Sequence, residues 1–327
     1  MDEIYIDALR GVLTDHCTPQ AVRAIEGGQT PDALWEAIEA SGFADALLPE
    51  ADGGAGLSLA EAFPLLELCG AFVVPVPLAE TMVARALLAQ AGVPRPGGSI
   101  ALAQGRVQGD GRLVCERVSF GRVADWVLVE VGKTCLLLPV DAAISDAAVA
   151  PLDATLSWLA PPQAMAQSVP GVADVRVPLA CVLAVQLAGA LMSVFTRTLQ
   201  YANDRNQFGR PIGKFQAIQH QLSVISEHAF AARMAAQMGC STDRLRVAIA
   251  KARTSEAALE VAALSHSIHG AIGFTEEFDL QLYTRRLHAW RQAGGSESYW
   301  YDVIGTELVD HRLGLALDLI RATTDIV

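Results

Sequence analysis

The sequence predicts a mostly α-helical fold with a small central β-domain, and three observations lead there. The composition is 52% hydrophobic but only 6% aromatic, rich in Ala and Leu, which suits helices packed closely on one another. Two long C-terminal stretches repeat apolar residues at alternating spacings of three and four, the signature of one buried helix face. Between them and the N-terminal third, the texture changes to short β-rich runs divided by glycines. At 327 residues the chain exceeds one average core. The texture divides it into an N-terminal helical domain (1–92), a β-domain (93–177) and a C-terminal four-helix bundle (178–327).

From Tyr5 to about Gln90 the pattern is helical. Thr30-Pro31-Asp32 reads as a helix start in N-cap and N1 style, with Leu34, Ile38 and Phe43 following at roughly turn spacing. Gly53, Gly54 and Gly56 form a loop before Ser58, which is placed to cap the next helix. No GKS follows these glycines, so they are read as a plain loop and not a phosphate cradle.

Strands are expected over Arg112 to Phe120, Trp126 to Val131 and Thr134 to Val140, each bounded by glycine turns. Pro151 to Pro170 reads as an irregular surface excursion in which Leu156, Trp158 and Leu159 seek burial. Phe215, Ile218, Leu222, Ile225, Ala229, Ala232 and Ala236 mark one bundle helix. Val247, Ala250, Thr254, Ala257, Val261, Leu264 and Ile268 mark the next, with Leu183 to Tyr201 before them and Trp300 to Leu319 after.

Charge narrows the function. A net charge of -12 and a pI near 5.0 argue against nucleic-acid binding, which needs a broad basic surface. Six scattered cysteines without a CxxC pair read as reduced, buried thiols, and seven histidines without HExxH spacing propose no metal. The acidic start, MDEIYIDALRGVL, argues against export, so a cytoplasmic protein is expected. Val177 to Phe195 carries no charge and approaches spanning length, but Pro178, Gln186 and Ser193 interrupt it, so a buried bundle helix is expected and not a membrane anchor.

Against that acidic background, residues 205–216 (RNQFGRPIGKFQ) concentrate three cations, two glycines, a proline and two phenylalanines in one bend. Local positive charge points to an anionic partner, and the aromatics to one with a flat ring. A nucleotide cofactor meets both demands.

This motif, extended as RNQFGRPIGKFQAIQHQLS and joined by HSIHGAIGFTEEFDLQLYTRR, resembles the acyl-CoA dehydrogenase family of flavoproteins over nearly the whole chain. The resemblance implies α,β-dehydrogenation of an acyl-CoA thioester, FAD lying across a subunit interface, and an electron-transfer flavoprotein as acceptor. It implies that Arg205 pairs with the FAD pyrophosphate, Phe208 packs by the adenine and Gln216 adds a hydrogen bond. Gly270 and Gly273 let the chain approach the cofactor, while Ala271 and Ser267 stand where many relatives have Gly and Gln.

The same resemblance exposes two departures. Where relatives carry a YEGTS-like segment, this chain has Gln292-Ala293-Gly294-Gly295-Ser296-Glu297, which puts Gly294 at the place of the base Glu. Glycine cannot accept a proton. The earlier alternative position, Val177 to Leu183, holds no acid, and Glu297 is the nearest substitute, three residues on in an assumed helix. The β-domain also lacks the TE…GSD and WIT-like segments that hold the flavin ring, so a shortened, β-barrel-like domain is expected. These features imply the smaller subunit of a heteromeric acyl-CoA dehydrogenase, serving FAD in trans beside a full-length, base-carrying partner. Two rivals stay open: a self-sufficient homo-oligomeric enzyme using Glu297, and a non-enzymatic scaffold binding acyl-CoA or nucleotide.

Overall fold

A computed structural model describes residues 3–159, 167–310 and 315–324. Five helices come first: α1 (Glu3–His16), α2 (Pro19–Glu26), α3 (Asp32–Ser41), α4 (Leu59–Ala71) and α5 (Leu78–Gln90). Local chemistry sets their starts. Thr18 accepts the Ala21 amide with Pro19 in the first helical position, and Ser58 with Glu61 closes a capping box on α4. Thr30 is not a cap: Pro31 occupies that place on α3 and offers no side-chain bond. Leu34, Ile38 and Phe43 are buried, as their spacing requires.

Seven strands follow: β1 (Ile100–Val107), β2 (Leu113–Val118), β3 (Trp126–Val131), β4 (Thr134–Pro139), β5 (Ile144–Ala147), β6 (Ala154–Trp158) and β7 (Gln167–Val169). They form one mixed sheet, ordered β5-β6-β2-β1-β3-β4-β7, with β1 parallel to β3. Successive residues of β1 face opposite ways. Ile100 and Leu102 join the helical core, while Ala101 and Ala103 join Leu113, Val129, Leu156 and Trp158 in a second core belonging to the sheet.

The excursion expected over Pro151 to Pro170 is instead partly sheet. It supplies β6 and β7, because its prolines flank the strands and do not interrupt them. Leu156 and Trp158 are buried there, but Leu159 is 62% exposed, and residues 160–166 lie outside those described.

The C-terminal half contains α6 (Arg176–Asp204), then, beyond the charged bend, α7 (Gln216–Gly239), α8 (Arg244–His269), α9 (Leu280–Gln292) and α10 (Glu297–Asp310). Helices α6, α7 and α8 pack on one another, α9 lies against α6 and α8, and α10 lies against α8. The last helix expected from the sequence divides in two: α10 stops at Asp310 and α11 (Ala316–Thr324) follows, with 311–314 outside the described residues.

The uncharged run sits in α6, which is long and apolar enough to cross a membrane. Yet 83% of its most apolar window is buried within the protein, as befits a core helix. Helix α4 crosses it at two glycines. A Cβ on Gly70 would come within 1.9 Å of the Gln186 carbonyl oxygen, and one on Gly189 within 2.0 Å of that of Glu67.

Candidate functional site

The charged bend begins where α6 ends. The Arg205 amide donates to the Tyr201 carbonyl at 2.8 Å, and the chain then forms a small hairpin of β8 (Asn206–Gln207) and β9 (Arg210–Pro211). Its two-residue turn, Phe208-Gly209, has φ of 52° and 80°. Two successive positive values are the mark of a type I′ turn, and a bulky side chain seldom accepts the first. Phe208 is 92% exposed, touching Phe215 edge-on with ring centroids 6.1 Å apart.

The Arg210 guanidinium lies 4.2 Å from the centre of the Phe215 ring. Arg205 and Lys214 are exposed and, among the described residues, their side chains make no hydrogen bond or ion pair. Gln216 opens α7, whose N-terminus has no side-chain cap. The first amides of this helix therefore add to the positive potential of the bend.

The second motif closes α8. His269 is its last residue, and residues 270–274 form a 3₁₀ turn. Gly270 has φ 64° and ψ -146°, a conformation open essentially to glycine alone. Gly273 is also constrained by packing within the chain. A Cβ there would come 3.0 Å from the His269 Cβ and 3.1 Å from Leu280 Cδ2, so the chain itself demands the missing side chain. Ala271 and Ser267 are both exposed beside the turn.

The structure brings the two motifs to one end of the bundle. The Tyr201 ring stacks on His269 at 4.3 Å and 22°, and its hydroxyl donates to the His269 carbonyl at 3.3 Å. His269 donates from Nδ1 to the Ser265 carbonyl at 2.8 Å, and His266 pairs through Nε2 with Thr284 Oγ1 at 2.9 Å. Burial holds both imidazoles below their ordinary pKa. They are packed, bonded histidines.

The elbow between α9 and α10 differs from the helical geometry assumed for Glu297. Gly294 and Gly295 have φ of 65° and 104°, which break the helix and reverse the chain. Glu297 is the first residue of α10, where it pairs with Arg291 while its Oε2 is buried without a partner. Position 294 faces α6: a Cβ there would lie 3.2 Å from Leu183 Cδ1 and 3.4 Å from Leu179 Cγ. No carboxylate stands at that spot.

One residue of this elbow escaped sequence reasoning. Lys251, fully buried on α8, donates from Nζ to Ser255 Oγ and to the carbonyls of Trp290, Arg291 and Gly295, each at 3.0 Å. Burial pushes its pKa down to about 7, opposed by the nearby Glu297. The available signal was a lone lysine within the apolar run VAIAKA.

Residues 2–94 match the family model of the acyl-CoA dehydrogenase N-terminal domain, and residues 180–309 that of the C-terminal domain. The chain is also 32% identical over 298 residues to the acyl-CoA dehydrogenase IpdE2 of Mycolicibacterium smegmatis, covering 90% of this chain and 94% of that one. This protein belongs to the acyl-CoA dehydrogenase family. Another acyl-CoA dehydrogenase IpdE2, from Mycobacterium tuberculosis, is 32% identical over 88% of this chain and 90% of its own.

Among solved acyl-CoA dehydrogenases, a variant of the steroid ACAD Tcur3481-Tcur3483 is similar with a TM-score of 0.81 and 25% identity, covering 94% of this chain and 97% of that one. The ChsE4-ChsE5 complex from Mycobacterium tuberculosis shares the fold, with a TM-score of 0.80 at 21% identity, over 94% of this chain and 97% of that one. The acyl-CoA dehydrogenase family is FAD-dependent. The six cysteines of this member are all buried and free.

Proposed function

We propose that this chain acts in the α,β-dehydrogenation of an acyl-CoA thioester as the subunit that contributes FAD contacts in trans, beside a longer acyl-CoA dehydrogenase subunit that carries the base. The observation that carries this reading is the contrast between two places in the molecule. At the end where Tyr201 of α6 meets His269 of α8, Arg205, Phe208, Gln216 and Gly270 are exposed on the segments that follow these helices. At the elbow, where relatives place a carboxylate, Gly294 faces α6 instead.

The exposed residues fit the diphosphate and adenine end of FAD. Arg205 has an uncommitted guanidinium whose planar fork matches phosphate oxygens, and the uncapped start of α7 adds amides beside it. Phe208 offers an exposed ring on a backbone held at φ 52°, the kind of local strain that persists where a ligand contact depends on it. Gln216 adds an amide able to donate and accept, and Gly270 keeps the turn of α8 free of a side chain. FAD, when bound, supplies the hydride acceptor. These residues bind and orient it; none of them removes the substrate α-proton.

Glu297 does not suit that task as it stands, because Arg291 holds one of its oxygens and the elbow turns it away from a helical continuation. Two solved relatives named above pair two polypeptides, which supports a heteromer, and one is called a steroid ACAD, which supports a bulky ring-bearing acyl group. An electron-transfer flavoprotein is the expected acceptor.

Expression of the chain alone should give colourless protein without dehydrogenase activity, and co-expression with a longer relative from the same genome should give a yellow, active complex. A yellow and active homo-oligomer of this chain would overturn the trans reading. Within the complex, Glu297→Gln should leave turnover within about twofold of the parent, since a base contributes factors of about 10²–10⁴. A collapse of turnover with flavin still bound would assign the base to Glu297.

A further inference from the structure

Resting on the trans-binding reading, we propose that His269 is a positioning residue for the cofactor site, fixing the Arg205 bend and the Gly270 turn relative to each other through its stack on Tyr201. The two motifs lie on different helices, and the covalent chain between them runs through the whole of α7 and α8. Something outside the backbone has to set their separation. Among the described residues, the Tyr201–His269 contact joins the last turn of α6 directly to the last residue of α8.

The linkage runs in short steps. The Arg205 amide is bonded to the Tyr201 carbonyl, Tyr201 stacks on His269 at 4.3 Å, and His269 immediately precedes Gly270. The Tyr201 hydroxyl holds the His269 carbonyl at 3.3 Å, which fixes the peptide leading into the turn. Phe278 closes the cluster, with ring centroids 5.6 Å from Tyr201 and 4.8 Å from His269.

His269 itself cannot move freely. Its Nδ1 donates to the Ser265 carbonyl, an obligate acceptor, so the neutral ring carries its lone pair on Nε2. That nitrogen is buried and has no partner, in a residue only 4% exposed. A buried acceptor left unpaired is unfavourable for stability. The imidazole is therefore a poor choice for filling space, and its value lies in a flat ring anchored at one edge to its own helix.

The test compares FAD dissociation constants, by flavin fluorescence, for complexes of the longer partner with variants of this chain. His269→Leu keeps the volume and removes the ring; His269→Phe keeps a flat ring and removes both nitrogens, which separates the stack from the Nδ1 bond to Ser265. Aromatic stacking predicts about a three- to tenfold weaker FAD affinity for His269→Leu and a return toward the parent for His269→Phe. The melting temperature of the FAD-free chain should not fall in parallel.

Tyr201→Leu supplies an independent measurement should His269→Leu fail to fold. It should weaken FAD comparably, and the double variant should be no worse than either single one, as expected for a shared contact. Parent-like affinity in His269→Leu or Tyr201→Leu, or a His269→Phe as weak as His269→Leu, would overturn the role of the stack. Arg205→Ala separates the two claims. If it leaves affinity unchanged the trans-binding reading fails; if it weakens FAD while the stack variants do not, only the positioning role fails.

Discussion

Lys251 shows how much one buried side chain can organise. Its ammonium gathers three carbonyls and a hydroxyl around an elbow that would otherwise leave the end of α9 unsatisfied. Lys251→Met keeps most of the volume but strands those acceptors, and should destabilise the protein by about 3 kcal/mol in urea denaturation. Glu80 presents the opposite problem. It is fully buried, accepts the Leu102 amide at 2.7 Å through Oε2, and leaves Oε1 unpartnered. Burial raises its pKa from 4.5 to about 8, with Asp153 adding and the Leu102 amide opposing. The folded state therefore favours the protonated form. Its contribution is fully present below the unfolded pKa of 4.5 and is lost as pH rises through about 8. Glu80→Gln, a neutral near-isostere, should raise the melting temperature relative to the parent at about pH 9, and the gain should vanish toward about pH 5. A variant whose effect is the same at both values would show that Glu80 is charged in the fold.

At the scale of elements, glycines decide where helices touch. Gly70 and Gly189 let α4 and α6 meet backbone to backbone, so Gly70→Ala should cost about 1–3 kcal/mol through overpacking, and more if the helices cannot part. Gly305 is the control: it is exposed on α10 with nothing near its missing Cβ, so Gly305→Ala should stabilise by about 0.5–1 kcal/mol. Thermal unfolding of the two variants measures both signs.

Helices α7 and α8 were legible because their buried faces repeat at the local period of 3.6, which no distant contact needs to supply. Helix α9 was not. Its buried face includes Thr284 and Arg286, and Arg286 draws its ion pair from distant Glu26 at 3.1 Å and lies 5.6 Å from the ring of Phe120, with Trp290 of its own helix at 5.9 Å. A charge on the inner face erases the apolar stripe. Strand β1 hid for a related reason. Gly105 is small because Leu113, Val129 and Cys115 crowd the space its Cβ would fill, and the strand's alanines, like Gly105, carry little β signal.

For the whole molecule, the trans reading makes cofactor binding and assembly one equilibrium. FAD bound only by the assembled complex should stabilise it by about 2.7 kcal/mol at a hundred times its dissociation constant. The melting temperature of the complex should then rise with added FAD, and the rise should shrink in Arg205→Ala at the same concentration. An FAD-independent melting temperature in the parent complex would count against a site completed by both chains.

The sequence alone determined the family, the helix–sheet–helix order and the concentration of cations and aromatics in the bend, because those rest on local periodicity and on motifs contiguous in the chain. Only the tertiary structure decided that Tyr201 and His269 tie the bend to the Gly270 turn, that Lys251 clamps the elbow, and that Gly294 faces α6 while Glu297 is held by Arg291. Each of these depends on side chains distant in sequence or on a backbone reversal, and a hydrogen bond or ring stack acts only between groups that folding has already brought within a few ångströms.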